Sequence, residues 1–525
     1  MLFEELSQTN PPTSKAEPGA ILAIVADKRV PDEVLVQKDA FLEAKFRSQR
    51  GTLSPIGRLP PEIVAEIFLF AATMPVSVGG TIGADSDWSS TTTRMPRNLS
   101  SVCTRWREIS RTTPALWRVL DILISASMHS EQPEGIFELL DLHLRLCKPF
   151  HLDLRVTMMS SYLGPLAGAP LAFLKSSSHR IGALTVMGPL KAIEHLVDMD
   201  SDVFSKLERL DLRLIELVQM VDTWPEQIAA LHTLPELRHL HLNLSGSASF
   251  SSFSLDAIFH PHSRWNALRS VEITLYNTKD IIASYASFAH APNLERLWIE
   301  AEEFWDHLSP TNLQPISFQK LNHLVLRGHF DNVELVARLF QPLAAPALRV
   351  LDVQSFSDAE PIQQFLVRSG GPPIEDLIVD TEFLNGPILA AVLRLLPHLR
   401  SLTLRFIEGP NDEFLLAMTV QPDSDARMLP HLQLLKIAAV DGSAMNLAIL
   451  VCMLESRQAQ LQHARVSITL PAIGPEMREA DPAVFGRFQT LVDSGMLRLD
   501  WNEGIDLDQD EDGVLTYFGD LVQHL

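Results

Sequence analysis

A chain in two unlike parts, a helical N-terminal unit followed by a long α/β solenoid, is predicted by three observations. The chain has 525 residues, too many for one compact core, because cores stop growing near ~250–300 residues and longer chains divide or elongate. From about residue 148 a short apolar pattern recurs at near-regular spacing, whereas before residue 120 apolar residues fall at the steps of three and four that mark helices. With 46% hydrophobic and 21% charged residues, the chain has apolar material for both parts.

Residues 1–30 carry Pro11, Pro12, Pro18 and Gly19, which break any long pattern, so a mobile start is expected. From Asp32 to Arg50, the residues Val34, Leu35, Lys38, Leu42 and Phe46 recur at helical spacing, so 1–50 reads as a mobile N-terminus and an amphipathic helix. Residues 51–120 read as a small helical domain. In SPIGRLPPEIVAEIFLFAA, Pro60 and Pro61 suit a first helical turn, Glu62 and Glu66 lie near its positive end, and Ile63, Val64, Ile67, Phe68 and Ala71 form an apolar stripe. Residues 73–97, rich in Ser, Thr, Gly and Pro, read as an inserted loop. Leu99, Val102, Cys103, Trp106 and Ile109 then share one face of a helix that Pro114 ends, and Leu116 and Trp117 follow as an apolar anchor.

The recurring pattern starts weakly with IGALTVMG at 181. It continues as LERLDLRL at 207, LRHLHLNL at 237, LRSVEITL at 268, LERLWIEA at 294, LNHLVLRG at 321, LRVLDVQS at 348, IEDLIVDT at 374, LRSLTLRF at 399 and LQLLKIAA at 432, with LQHARVSI at 461 as a last weak copy. Successive copies begin 25 to 33 residues apart. L-x-x-L-x-L at such a spacing is the leucine-rich repeat signature, one short strand per repeat followed by a helix or irregular turn. Helical stretches are readable between copies, as in VELVARLFQPL (333–343), PILAAVLRLLP (387–397) and NLAILVCMLE (446–455). Residues 145–500 therefore read as a curved horseshoe of about 11–12 repeats, strands on the concave side. Residues 501–525 form an acidic segment: Asp508, Asp510, Asp512 and Gly513 match the start of a calcium-binding loop, but Gly519 stands where the chelating Glu belongs.

The N-terminal residues carry a further pattern. L-P-x-E-I-x-x-x-I-F, then L-x-x-V-C-x-x-W-R-x-I, then P-x-L-W, resembles the F-box family, and the chain supplies Leu59, Pro60, Glu62, Ile63, Ile67 and Phe68, then Leu99, Val102, Cys103, Trp106, Arg107 and Ile109, then Pro114, Leu116 and Trp117. With the repeats, it is similar to the F-box-like proteins of fungi. The resemblance implies a three-helix module that docks on a Skp-family adaptor and through it a cullin, making the chain the substrate receptor of an SCF-type ubiquitin ligase. The implied adaptor contacts are Leu59, Pro60, Ile63, Ile67, Phe68, Leu99, Val102, Cys103, Trp106, Leu116 and Trp117. The residues themselves also allow a helical unit that only caps a non-ligase repeat scaffold, since terminal units must cover the solenoid's open end. Exposure of Pro60, Ile63, Phe68, Val102 and Trp106 separates the two readings.

The formal net charge of −22 argues against nucleic acid, which calls for a basic face. Between Arg94 and Arg118, six arginines face a single acid, Glu108, which suits either an acidic partner or a solvated helix face. Cys103, Cys147 and Cys452 are too few and too widely spaced for a disulfide framework or a zinc site, which fits a reducing compartment. The N-terminus lacks the basic and apolar regions of a secretion signal, and the apolar runs Ala20–Ala26 and Leu447–Leu454 are well short of the ~20 residues that cross a bilayer. A cytoplasmic or nuclear chain, monomeric on its own, with no cofactor, is expected. No G-x-S-x-G, G-x-G-x-x-G or phosphate-loop sequence occurs, and the alternating Asp198, Asp200 and Asp202 lack the glycine and further acids of a metal loop, so no enzyme is expected.

Strand alternation sends the residues between the leucines to the face opposite the core. The expected partner-reading set is Arg209, Asp211 and Arg213, His239 and His241, Glu272, Arg296, Trp298 and Glu300, His323 and Arg327, Asp352, Asp376 and Asp380, Arg405 and Lys436. Charges of both signs point to a protein partner rather than a polyanion. Trp298, Arg296 and Arg327 are placed at the centre of that surface, with Trp298 either an interface anchor or a ring covered by neighbouring strands.

Overall fold

The computed structural model describes residues 55–73, 91–124, 133–158, 178–188, 204–214, 234–244, 265–277, 288, 290–303, 315–328, 333–354, 360–380, 386–406, 410–420, 428–439, 446–461, 466–469 and 481–499. The expected helix at 32–50, the loop at Asp198–Asp202 and the acidic segment from 501 lie outside the described residues.

In LERLDLRL the alternation buries Leu210, Leu212 and Leu214 and leaves Arg209, Asp211 and Arg213 on the other side. The same logic builds β1 (Val119–Ile124), β2 (Leu152–Met158), β3 (Ile181–Gly188), β4 (Arg209–Leu214), β5 (His239–Leu244), β6 (Ser270–Asn277) and β7 (Arg296–Glu303). It continues through β9 (His323–Gly328), β11 (Val350–Val353), β12 (Asp376–Asp380), β13 (Ser401–Phe406), β14 (Leu434–Ala439), β15 (Val466–Thr469) and β16 (Leu497–Leu499). These strands form one parallel sheet in strict chain order, while β8 (Ile316–Ser317) and β10 (Leu343–Ala344) pair separately. One strand per repeat in sequence order is the architecture of an α/β repeat solenoid. The register aligns Leu120, Leu154, Leu184, Leu210, Leu240, Val271, Leu297, Leu324, Leu351, Leu377, Leu402, Leu435, Val466 and Leu497 in a single apolar row.

Helices return the chain between later strands. The stretches read as helical in the sequence become α5 (Val333–Phe340), α7 (Gly386–Arg394) and α9 (Leu447–Ser456), joined by α6 (Glu360–Arg368), α8 (Asp412–Met418) and α10 (Pro482–Asp493). Side-chain oxygens of Asn411, Asn446 and Asp481 accept from the first free N–H groups of α8, α9 and α10. Consecutive helices pack side by side, α5 on α6, α7 on α8, α8 on α9 and α9 on α10. An arginine then fastens repeat to repeat. Arg180 donates to the Leu144 carbonyl, Arg368 to that of Phe340, and Arg457 to that of Met418 at 2.7 Å, each acceptor lying in the last turn of the preceding helix. Those carbonyls have no partner within their own helix and form its negative end, so a cation there satisfies both needs. Arg457 is fully buried, also donates to the carbonyl of Met428 at 3.0 Å, and is pushed down to about 10 by burial.

The N-terminal unit comprises α1 (Pro61–Thr73), α2 (Thr91–Val102) and α3 (Thr104–Arg111), with α4 (Pro133–Leu146) between β1 and β2. Pro61 opens α1 where a missing N–H costs nothing. Val64 and Phe68 turn into the core, and Phe68 meets Trp106 at 4.9 Å between ring centroids. Ser110 ties the unit together: its hydroxyl accepts from Ser100 at 3.1 Å, and its carbonyl accepts from the Trp117 indole at 2.8 Å. Trp117, in the turn that leads directly into β1, packs edge-on against His143 of α4, whose Nδ1 lies 3.0 Å from the Trp117 carbonyl. The helical core and the solenoid core are continuous.

Three local expectations differ. The loop expected over 73–97 gives way to helix from Thr91, because Met95, Pro96 and Leu99 pack inward and tertiary burial overrides a Ser/Thr/Pro composition. The single helix expected through Leu99 and Ile109 is two, broken at Cys103, whose extended backbone and sulfur cap α3 by accepting from the Trp106 N–H. Among the described residues the sheet runs from β1 to β16, ahead of and beyond the legible repeats, with 14 strands where about 11–12 repeats were expected.

His143 is fully enclosed, and burial pushes it down to about 4. A neutral ring donating from Nδ1 fits this enclosure, and its Nε2 has no partner among the described residues. A base with a depressed folded pKa stabilises fully above its unfolded value near ~6.5, and that contribution disappears as pH falls toward the folded one. Stability is therefore expected to drop by about 3 kcal/mol between pH 6.5 and 4 in urea titrations, and His143→Gln should flatten that slope. Trp117→Ala should cost ~3–5 kcal/mol in the same assay, because it leaves a large cavity at the junction of both parts.

Candidate interaction surface

The residues between the leucines form the open face of the sheet, and the register lines them up. Its middle row runs Asp121, Arg155, Thr185, Asp211, His241, Glu272, Trp298, Val325, Asp352, Ile378, Thr403, Lys436, Ser467 and Arg498. In the first half, neighbours neutralise one another. His241 lies 3.0 Å from Asp211 and 3.6 Å from Glu272, and Arg213 pairs with Asp211 at 3.0 Å. Burial raises the Asp211 carboxyl, but hydrogen bonds from His241 and Arg213 outweigh it and hold the group below its usual range.

At the middle of the sheet Trp298, Glu300, Arg327 and Asp352 come together. The Arg327 guanidinium lies 4.5 Å from the centroid of the Trp298 ring and reaches Asp352 at 2.8 Å, while the indole N–H donates to Glu300 at 3.3 Å. Trp298 is half-buried, but Arg327 and Asp352 are 7% and 3% exposed, which corrects the expectation that both read a partner. The cause is the ring itself, which folds over the next strand and shields the ion pair from water. Trp298 and Glu300 remain the accessible part of this cluster.

Beside it, the strand starts carry a different group. Arg209 and Arg296 are exposed, as is Arg238 in the turn before β5, and none of the three has an ion pair among the described residues. His239 is lowered by burial and then by Arg209, Arg296 and Arg238; His323 is lowered by burial and then by Arg296. Arg238 escaped the sequence reading because it precedes its strand, where alternation assigns no face.

On the helical unit the implied adaptor contacts divide. Pro60, Ile63, Ile67, Val102 and Cys103 are exposed, at 48% for Ile63 and 60% for Val102, and Leu59 and Trp106 are half-buried. Phe68, Leu99, Leu116 and Trp117 are buried, which corrects their expected role: they hold the helices together and onto β1 and cannot reach a partner. Phe70, not singled out in the sequence, is 63% exposed and extends the strip of Ile63 and Ile67 by one helical turn. Arg105 donates to the Leu59 carbonyl, which brings the α2–α3 junction with Val102 to the start of α1.

Among the described residues there is no group of three His, Cys, Asp or Glu side chains that could hold a metal, and no helix long and apolar enough to cross a membrane. No family model and no curated protein matches the chain. Among solved structures it is similar to the leucine-rich repeat-containing protein LegL7 from Legionella pneumophila, at 14% identity and a TM-score of 0.34, over 65% of this chain and 97% of that one.

The shielded pair sets an expectation for mutation. Asp352→Ala leaves the Arg327 charge buried without its partner and is expected to cost ~3–5 kcal/mol in chemical denaturation, whereas Arg327→Met with Asp352→Leu should regain most of it. Equal midpoints for wild type and Asp352→Ala would show that the pair contributes nothing.

Proposed function

We propose that the chain is a protein-interaction scaffold that acts as the substrate receptor of a cullin-RING ubiquitin ligase. In this reading the N-terminal unit docks on a Skp-family adaptor and the open face of the sheet, with Trp298, Glu300 and Arg296 foremost, holds a protein substrate. The observation that carries it is the outward apolar strip of Pro60, Ile63, Ile67 and Val102, at positions that match the F-box pattern. A small helical unit that needed only to cap the solenoid has no reason to keep large aliphatic side chains in water, and such patches mark partner sites. Catalysis belongs to other subunits in this reading, and this chain supplies recognition alone.

A second reading, a repeat scaffold without a ligase, rests on the continuity of the helical core with β1 through Trp117 and His143. Adaptor pull-down separates the two. Ile63→Asp with Val102→Asp alters only exposed positions, so melting temperature is expected to hold within a degree or two while adaptor capture falls at least tenfold. A folded wild-type chain that captures no adaptor leaves the scaffold reading standing.

A further inference from the structure

The strand register assembles one row on the open face that carries hydrogen-bond donors and no carboxylate. Arg209, His239, Ser270, Arg296 and His323 stand opposite one another on β4, β5, β6, β7 and β9. Uncharged residues bound the row, Ala183 on β3 and Val350 on β11. Arg238 adds a guanidinium from the turn just before His239. That turn is held to the next strand by the Arg238 carbonyl, which accepts from the N–H groups of Arg269 at 2.8 Å and Ser270 at 2.9 Å. Arg209, Arg238 and Arg296 are all exposed, and none is in an ion pair among the described residues.

The acids that border the row are engaged elsewhere, with one exception. Glu295 pairs with Arg269 at 3.1 Å, Asp211 with Arg213 and His241 at 3.0 Å each, and Glu272 lies 3.6 Å from His241. Glu208, just before β4, is the exposed carboxylate left over. Three exposed guanidinium groups against that one carboxylate make the strip locally positive on a chain whose formal charge is −22. A guanidinium fork matches a carboxylate in shape and charge, and complementary charges set which partner binds and in which register. Half-buried Trp298, two residues beyond Arg296 on the same face, places an apolar ring beside the row.

Spacing decides how the carboxylates must be arranged. From Arg209 to Arg296 is three steps across the sheet, which is about 14 Å at ~4.8 Å per strand. In an extended peptide, side chains two residues apart share a face, and four residues cover about 14 Å at ~3.4 Å each. Acids at the two ends of such a stretch therefore meet Arg209 and Arg296, and one midway falls between His239 and Ser270, beside Arg238.

We infer that the open face over β4 to β7 and β9 takes an extended segment of a protein partner, which runs across the strands and carries Asp or Glu at alternate positions. The inference rests on the open face being the partner surface and is independent of the ligase reading.

The test uses the full chain and two fluorescein-labelled peptides of equal charge, Ser-Asp-Ser-Asp-Ser-Asp-Ser and Ser-Ser-Asp-Asp-Asp-Ser-Ser, followed by fluorescence anisotropy. The alternating peptide is expected to bind at least threefold more tightly than its isomer, and added salt should weaken it. Arg209→Ala with Arg296→Ala should lower that affinity at least tenfold while the circular dichroism melt is unchanged, since both side chains are exposed. A folded wild type that ignores the alternating peptide, equal affinity for the two isomers, or binding indifferent to the two arginines would overturn the inference. So would tighter binding of a single-stranded oligonucleotide that the same two substitutions abolish, since the strip would then read polyanions. Adaptor capture by the wild type is scored separately: a chain that captures the adaptor and ignores the peptide defeats this inference alone, and one that binds the peptide and captures no adaptor supports it and defeats only the ligase reading.

Discussion

Everything in this molecule depends on one apolar row. Leu120 at one end and Leu497 at the other are linked by twelve residues, each opposite its counterpart on the next strand, and a repeat can bury its own leucine only by stacking on the one before it. A slip of one residue in any strand would turn its leucines to water and its charges into the core, so the register is strongly specified. The open face inherits that precision. Trp298 can fold over Arg327 because the leucines beside them, Leu297 and Leu324, are locked opposite each other.

The N-terminal helices join this row without a seam. Trp117 ends the helical unit and begins the approach to β1, and the same side chain meets Ser110 behind it and His143 ahead of it. In α1, Val64 and Phe68 point into the core shared with α2, α3 and the turn at 114–117, and Ile63, Ile67 and Phe70 point to water. Helical periodicity makes that division possible, because residues one position apart lie about 100° apart around the axis.

Much of the fold was legible in the sequence because leucines at fixed spacing state both the strand and its buried face. The ends were less so. VLDILI at β1 and LRL at β16 lack the leading leucine of the motif, and they join the sheet because a neighbour offers a paired edge. The break at Cys103 was hidden because Leu99 to Ile109 keep helical spacing in the sequence while Val102 and Cys103 turn outward in the fold. On the open face, alternation told correctly which side each residue takes, but exposure also depends on what a neighbour covers. Arg327 and Asp352 lie on the expected side and are nevertheless shut away by a tryptophan from the adjacent strand. That shielding is a contact between repeats, and periodicity within one repeat carries no information about it.

The arginines that fasten one repeat to the next all reach backwards along the chain. Arg180, Arg368 and Arg457 find their carbonyl acceptors 36, 28 and 39 residues earlier, each on a helix already completed. A polypeptide leaving the ribosome N-terminus first has its acceptor in place before the donor emerges. These three links thus close as soon as their arginines emerge, whereas the Arg327–Asp352 pair closes only when the following strand has been made.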